Sequence, residues 1–474
     1  MKSHNVRARP SLTHECFELN PGETVEVQLN YFEYKINRLT EINRLIEKVY
    51  YQYHEPSRVG SSVFRTVDDL TRAVYRDAYV AADKSYAGQV FEDDAAQQLR
   101  LNKIYSLSWT NGLSVSVPLL LAGIRLKNSQ VMAQATLAIN NIVDHCLNSK
   151  NGLPFGARTD NGEWTNRGWW FDGMHTSGHS AYQIGQAIYY LVKACQANQN
   201  GADFEKWRDF SFKVLQIVKT QYNSDYEFPY IFSETSSAGL EYDSLGSSWI
   251  LAAMAKYATV FKNEFDLQIM LRSEQHYYDH FIAQLEGYGG PLDTDKATDS
   301  EGVLAYIRTA HLLHVLTHQD YLLGHLRDAL EYEFTFKFCY NSPIKTAPLN
   351  RIGWTSVGGS VTSIANPHIH PMSNTVIDDI DYYLECRSNQ YLASRQHDMI
   401  AWGCQTYNRF DNEYDYGKKG WMSERFCYSQ GLLTQKDKNG HLASTWFCLM
   451  PWASASIIDG LIGKVWDKEI SSNK

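Results

Sequence analysis

Six times along this chain an aromatic, carboxylate-bearing loop runs into an apolar helical stretch. The starts lie roughly 60 to 75 residues apart, the length of a helical hairpin with its loops. They are Trp109-Thr110-Asn111-Gly112, Trp169-Trp170-Phe171-Asp172-Gly173, Glu241-Tyr242-Asp243, Asp299-Ser300-Glu301-Gly302, the stretch from Asn374 to Asp381, and Trp446 with Met450-Pro451-Trp452. A second, more polar helical stretch separates each start from the next. This alternation predicts an inner ring of helices wrapped by an outer ring and closed into a toroid. The loops before the inner helices then share one end, and each offers a side chain to a common mouth.

The outer helices are expected near 128–147, 203–222, 265–285, 320–338 and 388–407. Runs with the two-residue period of a strand are scarce after residue 100, which argues against an α/β barrel. Ahead of the hairpins, Cys16-Phe17-Glu18-Leu19 and Thr24-Val25-Glu26-Val27-Gln28-Leu29 flank Asn20-Pro21-Gly22-Glu23 and read as two short strands around a turn. Helical spacing follows from about Tyr34 to Tyr53 and from about Thr66 to Ala81. The expected division is a strand pair with cap helices over 1–98 and an all-α catalytic barrel over 99–474.

A net charge of −9 with no basic run argues against a nucleic-acid partner. No apolar run approaches a membrane span, and Met1 to Leu12 is polar and basic, so a soluble cytoplasmic protein is expected. The eight cysteines are scattered and never form C-x-x-C, which predicts neither a zinc cluster nor a disulfide framework; no cofactor is expected. The 31 tyrosines and 12 tryptophans exceed the needs of a core, and flat rings in loops stack well on sugars. Oligomeric state stays open, a homo-oligomer included.

The succession of hairpins, with Trp, Tyr, Asp and Glu in the loops before the inner helices, resembles the six-hairpin glycosidase superfamily of (α/α)6 barrels over roughly residues 99 to 465. The resemblance implies hydrolysis of oligosaccharides by paired carboxylates. Related barrels include unsaturated uronyl hydrolases, polysaccharide lyases and sugar epimerases. The strand pair near Cys16 resembles the tail of a β-sandwich that often precedes such barrels.

Glycoside hydrolysis needs one protonated carboxyl and a second, ionised one, brought together from different loops. Glu301 is the first choice, with Asp299 beside it as substrate contact, although Thr-Asp-Ser-Glu is also an ordinary helix start. Its expected partner is Asp172, Asp243 or Asp379. Asp378, Asp379 and Asp381 crowd one helix start, where repulsion is expected to raise one pKa. Trp109, Trp170, Tyr242, Trp421 and Trp452 are the expected sugar-binding aromatics.

His175 and His179, four apart, suit substrate hydrogen bonding better than zinc, because the Glu of H-E-x-x-H is missing; His179 is equally a structural histidine. His368 and His370 lie between two prolines, which turns their rings to opposite sides and leaves one for function. The loop of Asp411-Asn412-Glu413-Tyr414-Asp415-Tyr416-Gly417 and Gly420-Trp421-Met422-Ser423-Glu424-Arg425, dense in acids and aromatics, lacks the glycine and glutamate of a calcium loop and is expected to face the substrate. Two alternatives stay open. One is a uronic-acid-directed lyase or unsaturated uronyl hydrolase, with His370 or His179 moving the proton and Arg351 holding the carboxylate. The other is a carbohydrate-binding toroid without activity.

Overall fold

The computed structural model describes residues 19–29, 31–58, 60–93, 98–168, 176–262, 265–290, 298–363, 368–427, 436–437 and 439–472. Its helices come in pairs. After α1 (Asn43–Tyr53) and α2 (Val63–Ala73) follow α3 (Leu113–Arg125) with α4 (Ser129–His145), α5 (Ala181–Ala197) with α6 (Phe204–Val218), and α7 (Ser248–Phe261) with α8 (Leu267–Tyr277). Then come α9 (Ser300–Thr317) with α10 (Asp320–Phe334), α11 (Ile377–Cys386) with α12 (Gln390–Gly403), and α13 (Pro451–Leu461) with α14 (Lys464–Ser472). The odd-numbered helices from α3 to α13 form the inner ring. It closes because α13 packs against both α3 and the 3-10 turn Met372–Val376 that leads into α11. The architecture is an all-α (α/α)6 toroid, as the hairpin periodicity predicts.

Composition decides which helix goes where. α5 is apolar nearly all round and is buried without a break from Ala181 to Val192, as an inner helix must be. α6 carries Trp207, Phe210, Val214, Leu215 and Val218 on one stripe and polar residues opposite, so it covers the ring from outside. The inner helices approach closely: a Cβ on Gly185 would lie 2.3 Å from the Trp249 backbone, so a larger residue there would push α5 off α7. Polar side chains start the helices, Ser180 accepting from the Gln183 N–H, Asp299 from Glu301, and Asn128, Asp266 and Asn389 doing the same for outer helices.

The expected N-terminal strand pair is not found among the described residues. Thr24–Leu29 forms no strand, with Val25, Val27 and Leu29 exposed, and Cys16 lies outside the described residues. Alternation gives a segment one apolar face but supplies neither a partner strand nor a core to cover it. A strand pair forms further on instead, where Gln89–Asp93 runs antiparallel to Gln98–Asn102. α2 packs against α13 and α14. Among the described residues no helix is long and apolar enough to cross a membrane.

Candidate active site

Loops at the two ends of the toroid differ in length. Those after the inner helices are short, as at 126–128, 318–319 and 462–463; those before them run over 146–180, 219–247, 335–371 and 404–450. The long loops gather where the inner helices begin. Between the inner helices lies a narrow cavity, partly open to solvent. Trp109, Tyr182, Trp249 and Trp452 supply its aromatic wall, Gln186 and Arg308 its polar one.

α9 brings three of the relevant side chains to one face, because Glu301, Leu304 and Arg308 are spaced three and seven apart. Leu304 and Arg308 line the cavity. Glu301 is buried one side chain behind the wall, hydrogen-bonded to the Tyr182 hydroxyl, whose pKa is raised by burial and then by this carboxylate. Asp299 caps the helix, its carboxylate accepting from the Glu301 N–H at 2.7 Å. The adjoining Ser300 N–H donates to the Thr362 carbonyl at 2.8 Å and so ties α9 to the loop that carries the two histidines.

On α13, Trp452 donates its indole N–H to Glu424 at 2.8 Å, and Glu424 also accepts from Arg425 Nε at 2.6 Å. The His370 ring lies 4.7 Å from the Trp452 ring and 5.3 Å from that of His368. Burial, with Arg425 nearby, holds His370 at about 3 and His368 well below the ordinary imidazole value, so both are neutral at physiological pH. Neither ring nitrogen of His368 has a hydrogen-bond partner among the described residues.

The sequence-based site is thus brought together in part. Trp109 and Trp452 line the cavity, His370 and His368 stand behind Trp452, and Glu301 and Asp299 stand behind Tyr182. Trp170, Asp172 and His175 lie outside the described residues. The others are elsewhere. Both nitrogens of His179 are engaged, Nδ1 with the Pro154 carbonyl at 2.9 Å and Nε2 with the Asn148 and Asn151 amides, so it pins the preceding loop. Trp421 is fully buried and donates to Asp77 at 2.7 Å, which fastens its loop to the turn after α2. Arg351 pairs with Asp415 on the surface. Asp243 is exposed, 3.3 Å from His280, and Tyr242 beside it is half-buried, away from the cavity-lining residues.

Asp379 is buried, but its helix turns it below the mouth, where it meets His311 at 2.6 Å. Burial pushes its carboxyl up; His311, Arg308 and Lys193 outweigh that and hold it below the ordinary value. The raised carboxyl of this group is Asp378, mainly through burial rather than repulsion. Sequence reasoning missed Tyr182, Gln186, Trp249 and Arg308, and placed Glu424 in a substrate-facing loop without singling it out. Tyr182 with Gln186, and Glu301 with Arg308, share helix faces whose orientation depends on ring closure; Glu424 sits in an acid-rich loop whose fold decides which acid turns inward. Among the described residues no group of three or more metal-ligating side chains assembles.

No protein-family model and no curated protein matches the sequence. Solved structures match in fold. An α-mannanase of glycoside hydrolase family 76 from Bacteroides thetaiotaomicron superposes with a TM-score of 0.54 at 12% identity, over 87% of this chain and 98% of that one. A D-mannose isomerase gives 0.56 at 10% identity, over 86% and 97%, and a cellobiose 2-epimerase from Spirochaeta thermophila 0.54 at 10%, over 91% and 100%. At such identities the likeness shows the fold alone: this chain has the (α/α)6 barrel fold of those structures.

Proposed function

We propose that the chain is a glycoside hydrolase that seats the terminal sugar of an oligosaccharide in the central cavity. Glu301 is the general acid and Glu424 the second carboxylate. The observation that carries this reading is a pair of buried carboxylates from separate elements, each bonded to an aromatic residue of the cavity wall, Glu301 to Tyr182 and Glu424 to Trp452. Two carboxyl groups in differing surroundings are what acid and base or nucleophile roles require. Trp109 and Trp452 offer rings for the apolar face of the sugar. Glu424 takes the part expected of Asp243 or Asp379, since the first is exposed and the second is held by His311. A glycan library read out at the reducing end tests the activity. Glu301→Gln is expected to lower turnover by about 10²–10⁴-fold with an unchanged circular dichroism spectrum; a variant that still turns over at the wild-type rate removes Glu301 from the mechanism.

A second reading rests on the histidines. His368 and His370 are buried, neutral and next to Trp452, and a neutral imidazole accepts a proton from carbon beside a sugar carbonyl or carboxylate, the step of an epimerase, isomerase or lyase. That chemistry would place solvent deuterium in the sugar, or release an ultraviolet-absorbing enol uronate, and would depend on His370 rather than Glu301. A chain that turns over no glycan by either readout is a binding toroid.

A further inference from the structure

Of the described side chains that wall the cavity, Arg308 carries the charge. Its guanidinium is buried, with Nη1 donating to the Leu304 carbonyl at 2.8 Å and Nη2 to the Thr375 carbonyl at 3.1 Å. A guanidinium has five N–H groups, so further donors remain. The group lies 5.1 Å from the Trp249 ring and 5.6 Å from that of Tyr189, which fixes its plane. Asp379 and Asp459 lie close enough to keep it charged, yet they are bonded elsewhere, Asp379 to His311 at 2.6 Å and Asp459 to Lys193 at 2.5 Å. Among the described residues no carboxylate forms an ion pair with Arg308. In the same wall Gln186 Oε1 is buried without a hydrogen-bond partner among the described residues.

Asp379 and Asp459 offset the charge without occupying the guanidinium, so its spare N–H groups are left to meet an anion that enters the cavity. We propose that the cavity selects an acidic sugar, a uronic acid residue whose carboxylate pairs with Arg308 while Gln186 Oε1 accepts from a ring hydroxyl. The inference rests on the reading of this cavity as the sugar site. A planar carboxylate matches the guanidinium fork in a way that a neutral hydroxymethyl group cannot.

Calorimetric titration of the intact chain at pH 7 with D-glucuronate, D-galacturonate, their neutral parents D-glucose and D-galactose, and glucose 6-phosphate tests it. At least one uronate is expected to bind about tenfold or more tightly than its neutral parent, the size of a charge-assisted hydrogen-bond pair. Arg308→Gln should bring uronate affinity down to that of the parent. Should that variant fail to fold, Arg308→Lys, which keeps the charge and loses the fork, should cost most of the preference. Equal binding of acid and parent, a preference for the phosphate, or a preference that survives substitution of Arg308 overturns the inference and leaves the cavity as a sugar site. Binding of none of these sugars overturns both together.

Discussion

The two ends of the inner ring are equally buried and differently completed. Toward the floor, charges meet partners: Lys193 bonds Asp459 at 2.5 Å, the Tyr190 hydroxyl donates to the same carboxylate at 3.2 Å, His311 holds Asp379, and the Lys464 N–H holds Asp378 at 3.2 Å. Toward the mouth, among the described residues, His368 buries two ring nitrogens without partners, Gln186 leaves its carbonyl oxygen unbonded, and Arg308 keeps donors in reserve. A buried polar group left unsatisfied costs about 1–3 kcal/mol. The chain demonstrably can pair such groups, since it does so a few turns further along the same helices. The contrast supports the proposal that the mouth takes a ligand, while among the described residues unpartnered buried atoms also occur away from it, as at Asp381 Oδ2 and Glu274 Oε2.

The sharpest break in this comparison comes from the floor. Asp459→Ala leaves Lys193 buried without its anion, and removal of one partner of a buried pair costs roughly 3–5 kcal/mol. Urea denaturation should show that loss as a lower midpoint at unchanged slope, because the surface exposed on unfolding is the same. Sugar affinity of the folded fraction should not fall, because Asp459 acts on Arg308 only at a distance and its loss leaves one anion fewer near the guanidinium. If affinity falls while stability holds, the floor belongs to the site and the division between the two ends is misplaced.

The second prediction concerns pH and the mouth. His370 titrates at about 3 in the folded chain and His368 well below its ordinary value, against about 6.5 for each when unfolded. As pH falls below 6.5 the unfolded chain takes up protons that the folded chain refuses, so folding stability is intact above that pH and is lost on the way down toward 3. At pH 5 the loss from His370 is on the order of 2 kcal/mol, and His368 adds to it in the same direction. Denaturation midpoints of wild type and His370→Gln, compared between pH 7 and 4, should show a slope shallower by about one proton in the variant. Identical slopes would mean that the ring is already solvated and that the mouth holds no buried neutral imidazole there.

What was legible in the chain follows the same division. Inner and outer helices, their order and the end at which the inner ones start were readable because each is a local hydrophobic period with a local cap, Asp299-Ser300-Glu301 being the clearest. The aromatics were readable as a set and not individually. Trp421 follows acid-rich loop sequence and Trp452 a Met-Pro helix start, yet each closes on a carboxylate, one on Asp77 and the other on Glu424, a choice made by the folding of a long loop. Asp379 looked like a mouth residue because it is near a helix start, but the 3-10 turn Met372–Val376 precedes that helix and sets it lower in the barrel. Arg308 gave no local signal at all: one arginine in an apolar helix gains its meaning from five other helices closing around it.

The smallest expected effect belongs to Arg351, which the sequence offered as a carboxylate clamp. Its side chain is 58% exposed and that of Asp415, its partner, 44%, so the pair sits in water and is screened by salt. Exposed pairs of this kind contribute between 0 and about 1 kcal/mol, and part of that returns as side-chain freedom when the pair is broken. Arg351→Ala should therefore move the urea midpoint barely beyond error and leave uronate affinity where it was, in contrast to Arg308→Lys. The paired measurement weighs two arginines of equal charge and opposite burial against one ligand. A larger loss at Arg351 would carry the anion-binding region out of the barrel and onto the loop around 345–355, and Arg308 would then be a structural cation like those of the floor.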